Sequence, residues 1–287
     1  MANTKEVRKQ IASIKSTQKI TSAMEMVAAS KMKRTQDLMM VGRPYSNKIQ
    51  EVISHIATSN SEHSHPFYED RTINKACFIV VSTDKGLCGG LNINLFKSIV
   101  AKAAEFKTNG IDSSFALIGL KASAFFQSVG GEVVATADKL GDQPNPEDLI
   151  GLTKVVLDLH KNQDVDEVYL CSNRFVNTMT QQPTITQLIP LPAIEDENLV
   201  NTHWDYIYEP EAAELLDGLL TRYIEALIYQ AVVENNACEQ AAKMIAMKNA
   251  SENAGDLIKE LELLYNNVRQ AAITQELSEI VGGAAAV

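Results

Sequence analysis

Proline, aromatic residues and metal-binding patterns are all scarce in this chain. It has 287 residues and eight prolines, none of them between Glu211 and Val287, and aromatic residues make up only 6% of it. Its cysteines are scattered, with no Cys-x-x-Cys pair and no histidine cluster nearby. They are Cys77, Cys88, Cys171 and Cys238. This distribution argues against a zinc site or a redox pair and suits a reducing compartment.

Long hydrophobic runs and an overall basic charge are also lacking. No segment approaches the ~18 consecutive apolar residues of a membrane-spanning helix, and the N-terminus lacks the apolar core of a signal peptide. We therefore expect neither in this chain. The net charge of −10 argues against a general nucleic-acid binder. Residues 1–50 are nevertheless basic, so the acidic excess lies in the rest of the chain.

The proline-free segment has the pattern of one long helix. Apolar side chains return every three or four positions, which predicts a helix with a buried stripe. The stripe contains Ala213, Leu216, Leu220, Tyr223, Leu227, Ala231, Ala237, Ala241, Met244, Ile258, Leu261, Leu264 and Val268. Such a helix is about 110 Å long, whereas a compact chain of this length has a radius of gyration of about 19 Å. The helix must therefore project, and its apolar stripe requires a partner.

A second long helix is predicted over residues 4–57, with a kink or brief interruption at Pro44. Its stripe contains Val7, Ile11, Ile14, Thr21, Met24, Val27, Leu38, Tyr45, Ile49, Val52 and Ile56. Because both helices adjoin the middle of the chain, we expect a long antiparallel two-helix coiled coil with an Ala-rich core. The C-terminal helix exceeds the other by about 30 Å. Its last turns, which end in IVGGAAAV, should therefore protrude alone.

The middle of the chain has the pattern of an α/β domain. Short β-branched runs at 76–83, 115–120, 132–137 and 167–172 alternate with helical stretches near 92–108, 121–129 and 146–161. This alternation predicts a Rossmann-like parallel sheet with right-handed crossovers, and 184–191, between two prolines, reads as an edge strand. The predicted domains are an N-terminal coiled-coil helix at 1–57, an α/β domain with connectors at 58–209 and a C-terminal coiled-coil helix at 210–287.

The loop STDKGLCGGLN (82–92) follows the first strand and opens a helix, where α/β folds place phosphate-binding loops. Its spacing matches neither G-x-G-x-x-G nor G-x-x-x-x-G-K-[ST]. The favoured interpretation is a tight turn that needs glycine dihedral angles, with Asp84 and Lys85 free to form a local ion pair. Cys88 is better explained as a buried thiol than as a nucleophile, and no acid–base pair stands out. We therefore predict no catalytic, cofactor-binding or metal site.

Two peripheral stretches are candidates for partner contacts. Polar residues on the protruding part of the last helix cannot be satisfied by the shorter first helix, so they face solvent or an external socket. They are Arg269, Gln270, Thr274 and Glu276. In the first helix, Lys31, Lys33 and Arg34 follow closely after Met24. They form either a solvated face or an electrostatic contact with an acidic partner loop.

Three segments together resemble the γ subunit of bacterial F-type ATP synthase, and the resemblance covers essentially the whole chain. IASIKSTQKITSAMEMVAASKMKR (11–34) resembles the first helix of that family, and STDKGLCGGLN resembles its central signature. YNNVRQAAITQELSEIVGGAAAV (265–287) resembles its C-terminal signature and is the most specific of the three.

The resemblance implies a non-catalytic rotor shaft within the ATP synthase complex. Its coiled coil would turn inside a hexamer of α and β subunits, and its foot would rest on the c-ring beside the ε subunit. Proton flow through the ring would then drive ATP synthesis or hydrolysis at the β subunits. The implied location is peripheral, at the cytoplasmic face of the bacterial inner membrane.

The same resemblance implies which residues contact these partners. The expected contacts with β and α are Met24, Lys31, Lys33, Arg34, Lys243, Arg269, Gln270, Thr274 and Glu276. The expected foot residues near the c-ring and ε are Tyr206, Tyr208 and Glu209. Lys243 stands where relatives commonly have arginine, which weakens a bidentate carboxylate contact. The regulatory cysteine insertion of photosynthetic relatives is absent, so thiol control is not expected.

Two other classes of protein share part of this pattern. A non-rotary coiled-coil scaffold would contain the same helices and should form a stable homodimer. A nucleotide-binding α/β enzyme with a helical appendage should bind nucleotide as an isolated chain.

Overall fold

The computed structural model of the chain describes residues 4–59, 66–69, 71–191 and 212–284. The elements are α1 (Thr4–Ser59), a 3₁₀ turn (Pro66–Tyr68), β1 (Lys75–Val81), α2 (Leu91–Thr108), β2 (Asp112–Ile118), α3 (Leu120–Val129), β3 (Glu132–Ala137), α4 (Glu147–Lys161), β4 (Glu167–Phe175), β5 (Gln181–Ile189) and α5 (Ala212–Ala284). They form two compact units. A helical unit comprises Met1–Ser30 with Lys243–Val287, and a larger unit comprises Lys31–Ala242.

The larger unit contains a five-stranded sheet in the order β3-β2-β1-β4-β5. Strands β1 to β4 are parallel, as the strand–helix alternation predicts. The predicted edge strand is present as β5, but it runs antiparallel to β4 and makes the sheet mixed. It can do so because only the short segment between Phe175 and Gln181 connects it to β4, whereas a parallel return needs a longer crossover.

The central strand β1 is buried along both faces, which explains its continuous apolar sequence. Cys77, Ile79 and Val81 join a core with residues of α4 and the first part of α5. Phe78 and Val80 point to the other face, where α2 and α3 cover the sheet. The two faces of β1 therefore hold the larger unit together.

The first part of α5 is a component of the larger unit's core. Leu220, Ile224 and Ile228 are fully buried there against residues of the sheet. The predicted C-terminal helix is therefore present, but its beginning packs on the α/β sheet. The division into three domains at 57/58 and 209/210 stays a prediction.

The helical unit is an antiparallel pair formed by the start of α1 and the end of α5. Val7 and Ile11 are buried against Ile258, and Lys15 forms an ion pair with Glu262 at 2.7 Å. Further along α1, Gln18 hydrogen-bonds Ser251, which precedes Ile258 in α5. A rising number in α1 thus meets a falling number in α5, which confirms the predicted antiparallel coiled coil in this unit.

The buried stripe of α1 differs from the predicted one by one residue at two places. Ala28 is buried where Val27 was expected, and Met39 is buried where Leu38 was expected. Beside other half-buried residues such as Met24 and Leu38, ten buried or half-buried positions repeat every 3.5 residues, as in a coiled coil. They are Val7, Ile11, Ile14, Gln18, Thr21, Glu25, Ala28, Met32, Thr35 and Met39.

The helix α1 is continuous from Thr4 to Ser59, so the interruption predicted at Pro44 is wrong, whereas a kink there stays a prediction. A proline removes one hydrogen bond of the helix ladder, and the turns before and after it keep theirs.

Candidate partner-binding surfaces

The end of α5 is exposed along its whole described surface. Every residue from 269 to 282 is exposed, including the four polar residues Arg269, Gln270, Thr274 and Glu276. The Thr274 hydroxyl donates a hydrogen bond to the backbone oxygen of Gln270 at 2.9 Å, within the same helix. This segment, which we call the tip (269–282), has no cover from within the helical unit.

An apolar stripe also runs along the tip. Its large members are Ile273, Leu277, Ile280 and Val281, which are 48%, 57%, 67% and 67% exposed. Leu277, Ile280 and Val281 lie four, seven and eight positions after Ile273, a spacing that places all four side chains on one side of the helix. A contiguous apolar surface of this kind marks an interaction site rather than a solvated helix face.

The basic residues of α1 differ in what surrounds them. Lys31 Nζ lies 2.5 Å from Asp142 Oδ2, on the loop between β3 and α4. Lys33 and Arg34 are exposed, and within the described ranges they form no hydrogen bond or ion pair. The cluster predicted from sequence therefore contains one internally paired ammonium group and two exposed cations.

The remaining predicted contacts that the structure describes belong to the other unit. Met24 and Lys243 are both half-buried and belong to the helical unit, as the tip does, whereas Lys31, Lys33 and Arg34 belong to the larger unit. The foot residues Tyr206, Tyr208 and Glu209 lie outside the described residues.

The loop at 82–92 is a tight strand-to-helix turn, as predicted, with Leu87 and Gly89 at φ of 67° and 58°. Asp84 does not pair with Lys85. Its Oδ1 accepts the backbone N–H groups of Leu120 and Lys139 at 3.1 and 3.2 Å. The carboxylate thereby fixes the start of α3 and the β3–α4 loop at the carboxyl edge of the sheet.

Gly119 is required at this edge by close packing. Its φ is 92°, and a Cβ added there would lie 2.5 Å from the backbone oxygen of Ser82. The Ser82 hydroxyl donates to Ile118 O at 3.0 Å and accepts from Ala122 N at 2.9 Å. These two hydrogen bonds join the ends of β1 and β2 to the start of α3.

The crevice between the carboxyl ends of β1 and β4 is filled by side chains. This is the switch point of the sheet, because the chain leaves β1 toward β2 on one side while β4 lies on the other. Cys88, Leu91 and Cys238 are buried together there, with Phe175 and Ala242 packed against them. The interpretation of Cys88 as a buried thiol is confirmed, and burial raises the pKa of the neighbouring Cys238 thiol.

The pocket beside this loop has a volume of about 50 Å³ and is lined in part by Asp84, Lys85 and Gly119. Ligand sites are commonly about 300–1,000 Å³. Among the described residues, no group of three or more His, Cys, Asp or Glu side chains could hold a metal ion, and no helix is long and apolar enough to cross a membrane.

One contact between the helices was missed in the sequence. Gln18 Nε2 donates to Ser251 O at 3.3 Å, and a Cβ added to Gly255 would lie 3.1 Å from the same nitrogen. A strict 3.5-residue spacing would have placed Gln18 in the seam, since it lies seven residues after Ile11.

Comparisons with known proteins agree with this architecture. The family model described as ATP synthase matches residues 3–287. The rotor of the Euglena gracilis mitochondrial ATP synthase, in rotational state 1, has a TM-score of 0.65 at 18% identity, covering 94% of this chain and 98% of that chain. The central stalk/c-ring structure of the Tetrahymena thermophila mitochondrial ATP synthase has a TM-score of 0.60 at 24% identity, covering 81% and 99%. At these identities the structures support the fold alone.

Proposed function

Because the chain belongs to the ATP synthase family, as a γ subunit, we propose that it is the central rotor shaft of an F1 sector. In this role the shaft turns inside a hexamer of three α and three β subunits. Its rotation couples ion flow through the c-ring to ATP synthesis or hydrolysis at the β subunits. The asymmetric shaft presents a different face to each β subunit in turn and so changes the nucleotide affinity of each site.

The observation that carries this proposal is the uncovered tip. A helix segment with Ile273, Leu277 and Ile280 on one side is unfavourable in water unless a partner covers it. Residues 282–287 are two glycines, three alanines and one valine, which offer no charge and no side chain larger than that of valine. A smooth end of this kind suits a bearing, because a deep pocket or a fixed ion pair would hold the shaft at one angle.

We also propose that the chain catalyses no reaction by itself. Open α/β sheets bind their ligands in the crevice at the switch point. Here that crevice holds the buried side chains of Cys88, Leu91 and Cys238, so nucleotide chemistry is assigned to the partner subunits.

The contacts predicted from sequence become part of the proposal. The tip residues Arg269, Gln270, Thr274 and Glu276 are proposed to engage a β subunit, and Met24 and Lys243 to contact the hexamer. The exposed Lys33 and Arg34 are suited to an acidic β segment, because their charges are unpaired within the described residues. Lys31 is a proposed contact of the same kind, and its partner in the isolated chain is Asp142.

The contacts of the foot residues and the cellular location of the chain are proposed from its resemblance to the γ-subunit family. Tyr206, Tyr208 and Glu209 would contact the c-ring and the ε subunit, and the domains would divide at 57/58 and 209/210. The chain would then sit at the cytoplasmic face of a bacterial inner membrane, attached through the complex.

The test is recovery of the tagged full chain from solubilised native membranes, with ATPase activity measured on the eluate. We expect α and β subunits near three of each per tagged chain, together with ATPase activity and ATP-driven rotation of a bead fixed to the chain. A chain recovered alone or as a homodimer, while α and β are intact in the lysate, would instead support a scaffold. Nucleotide binding by the isolated chain would contradict the non-catalytic role.

A further inference from the structure

Strand β4 ends against α5, and hydrogen bonds join the two elements there. Glu234 Oε1 accepts the backbone N–H of Phe175 at 3.0 Å. The Cys238 thiol donates to the backbone oxygen of Asn173 at 3.3 Å. A further bond joins two side chains, with Asn173 Nδ2 as the donor and Asn235 Oδ1 as the acceptor at 2.9 Å. The helix therefore contacts the end of this strand through polar groups as well as through the apolar core.

The two asparagines lie entirely inside the larger unit. Asn173 is 1% exposed and Asn235 is 0% exposed. A single bond joins their amides, so they do not form a cyclic pair with two bonds. Asn173 Oδ1 and Asn235 Nδ2 have no hydrogen-bond partner among the described protein groups. One acceptor and one donor are thus left unsatisfied, each on an amide that is bonded through its other atom.

Rotation of the amides does not remove this imbalance. A half-turn of both amides reverses the direction of the bond between them and again leaves one oxygen and one nitrogen without a partner. A half-turn of only one amide places two donors or two acceptors against each other. Every arrangement that keeps the single bond therefore presents one free donor and one free acceptor.

The neighbouring groups of the chain do not supply the missing bonds. Pro183 lies opposite Asn173 in β5 and has no backbone N–H to donate. The Cys238 thiol already donates to the backbone oxygen of Asn173. The partner of the two unsatisfied atoms therefore comes from outside the protein chain, as is usual for buried polar groups that the fold leaves unpaired.

The chemistry of the two atoms selects this partner. The N–H group of Asn235 disfavours a cation, and the oxygen of Asn173 disfavours an anion, so the partner is neutral. It must donate one hydrogen bond and accept another, and the full burial of both residues restricts it to a very small molecule. Water meets all these conditions. Leaving both buried atoms unpaired costs more free energy than holding one water molecule in place.

We propose that one water molecule is bound between Asn173 Oδ1 and Asn235 Nδ2, as a permanent part of the contact between β4 and α5. The water donates to the oxygen and accepts from the nitrogen. This binding site goes beyond the proposed function and does not depend on it, because both of its residues belong to the same unit of a single chain. It completes the hydrogen bonding of the helix that continues to the tip.

The direct test is a crystal structure of the full chain at a resolution that shows ordered water molecules. We expect a water peak within about 2.7–3.2 Å of both Asn173 Oδ1 and Asn235 Nδ2. A cyclic amide pair, in which these two atoms bond each other, would overturn the proposal. A site without density, or a peak whose anomalous scattering identifies an ion, would overturn it as well.

Magnetic relaxation dispersion of the water oxygen tests the same site in solution, because it detects water molecules that stay bound longer than the protein takes to tumble. Asn173→Leu combined with Asn235→Leu replaces both amides by apolar groups of similar size, an exchange that is often tolerated. We expect this double variant to lose the contribution of one long-lived water molecule. An unchanged dispersion amplitude in a folded double variant would contradict the proposal.

Asn92→Leu is the matched control. Asn92 is a buried asparagine whose amide is already satisfied, since its Oδ1 accepts from Thr83 N at 3.3 Å and its Nδ2 donates to Thr83 Oγ1 at 2.8 Å. This variant should keep the full dispersion amplitude, and an equal loss there would overturn the assignment to the asparagine pair. If either variant does not fold, the crystal structure of the unsubstituted chain decides. Failure of the shaft function would appear in the recovery experiment instead.

Discussion

The tip allows a clear separation of binding from folding. Leu277→Gln combined with Ile280→Gln removes two apolar side chains that are 57% and 67% exposed in the chain. Full burial of a leucine or isoleucine contributes about 1.5–3 kcal/mol, so covering the exposed parts of these two can contribute about 1–2 kcal/mol each. Glutamine matches leucine closely in helix propensity, so the helix itself is little affected.

The double variant should therefore lose about 2–4 kcal/mol of binding free energy, a reduction in affinity for α3β3 of about 30- to 900-fold. Its own unfolding should stay within about 0.5 kcal/mol of the unsubstituted chain, as is usual for exposed positions. The affinity is measured by titrating α3β3 with labelled chain. Thermal unfolding of the free chain gives the second quantity.

Val129→Gln is the matched control, because Val129 is 62% exposed but lies at the end of α3, away from the tip sequence. It should leave the affinity unchanged. The reasoning would be refuted if the tip variant bound as tightly as the unsubstituted chain, or if Val129→Gln weakened binding by the same factor.

Three further predictions concern the larger unit. Gly119→Ala should destabilise it by about 3–5 kcal/mol, because the new side chain strains the positive φ and disturbs two hydrogen bonds. Gly151→Ala, at an open helical position, should instead stabilise it by up to about 1 kcal/mol, and chemical unfolding of both variants measures the two effects. Lys31→Asp should impair ATP-driven rotation, and adding Asp142→Lys should not restore it, because Lys31 is proposed to contact an acidic β segment as well as Asp142. Full rescue by the charge exchange would contradict the proposed β contact and assign Lys31 to the internal pair alone. Burial lowers the pKa of His160, so the folded state favours the neutral ring, and the free energy of unfolding should fall as the pH drops below about 6.5. His160→Phe should flatten this pH dependence, and an unchanged slope would contradict the role given to His160.

The elements of the fold were largely predictable because their signals are local. The strand at 132–137 was predicted with the bounds that β3 has, and α2, α3 and α4 begin within one residue of their predicted starts. Runs of β-branched residues and helical periodicity act over a few neighbours, so they are visible in the sequence. The seam of α1 was misread at Val27 because the partner helix imposes a 3.5-residue repeat that a single helix does not reveal.

The candidate contacts were predictable to a different degree. The exposure of Arg269 and Glu276 followed from the unequal helix lengths, since no part of α1 was available to cover them. The pairing of Lys31 with Asp142 was not predictable, because the two residues are distant in sequence and nothing local relates them. The place of Gln18 in the seam was predictable from a 3.5-residue spacing, but its neighbour Gly255 was not, because that residue lies on the other helix.

By itself, the sequence determined that two long helices flank an α/β domain and that the chain carries the signatures of one family. Those properties rest on local propensity and on residues in a fixed order. Only the tertiary structure decided the antiparallel direction of β5, the filling of the switch point by Cys88 and Cys238, and the seating of Gln18 over Gly255. Each of these depends on which distant residues share the same space, and hydrophobic burial and close packing select that arrangement for the chain as a whole.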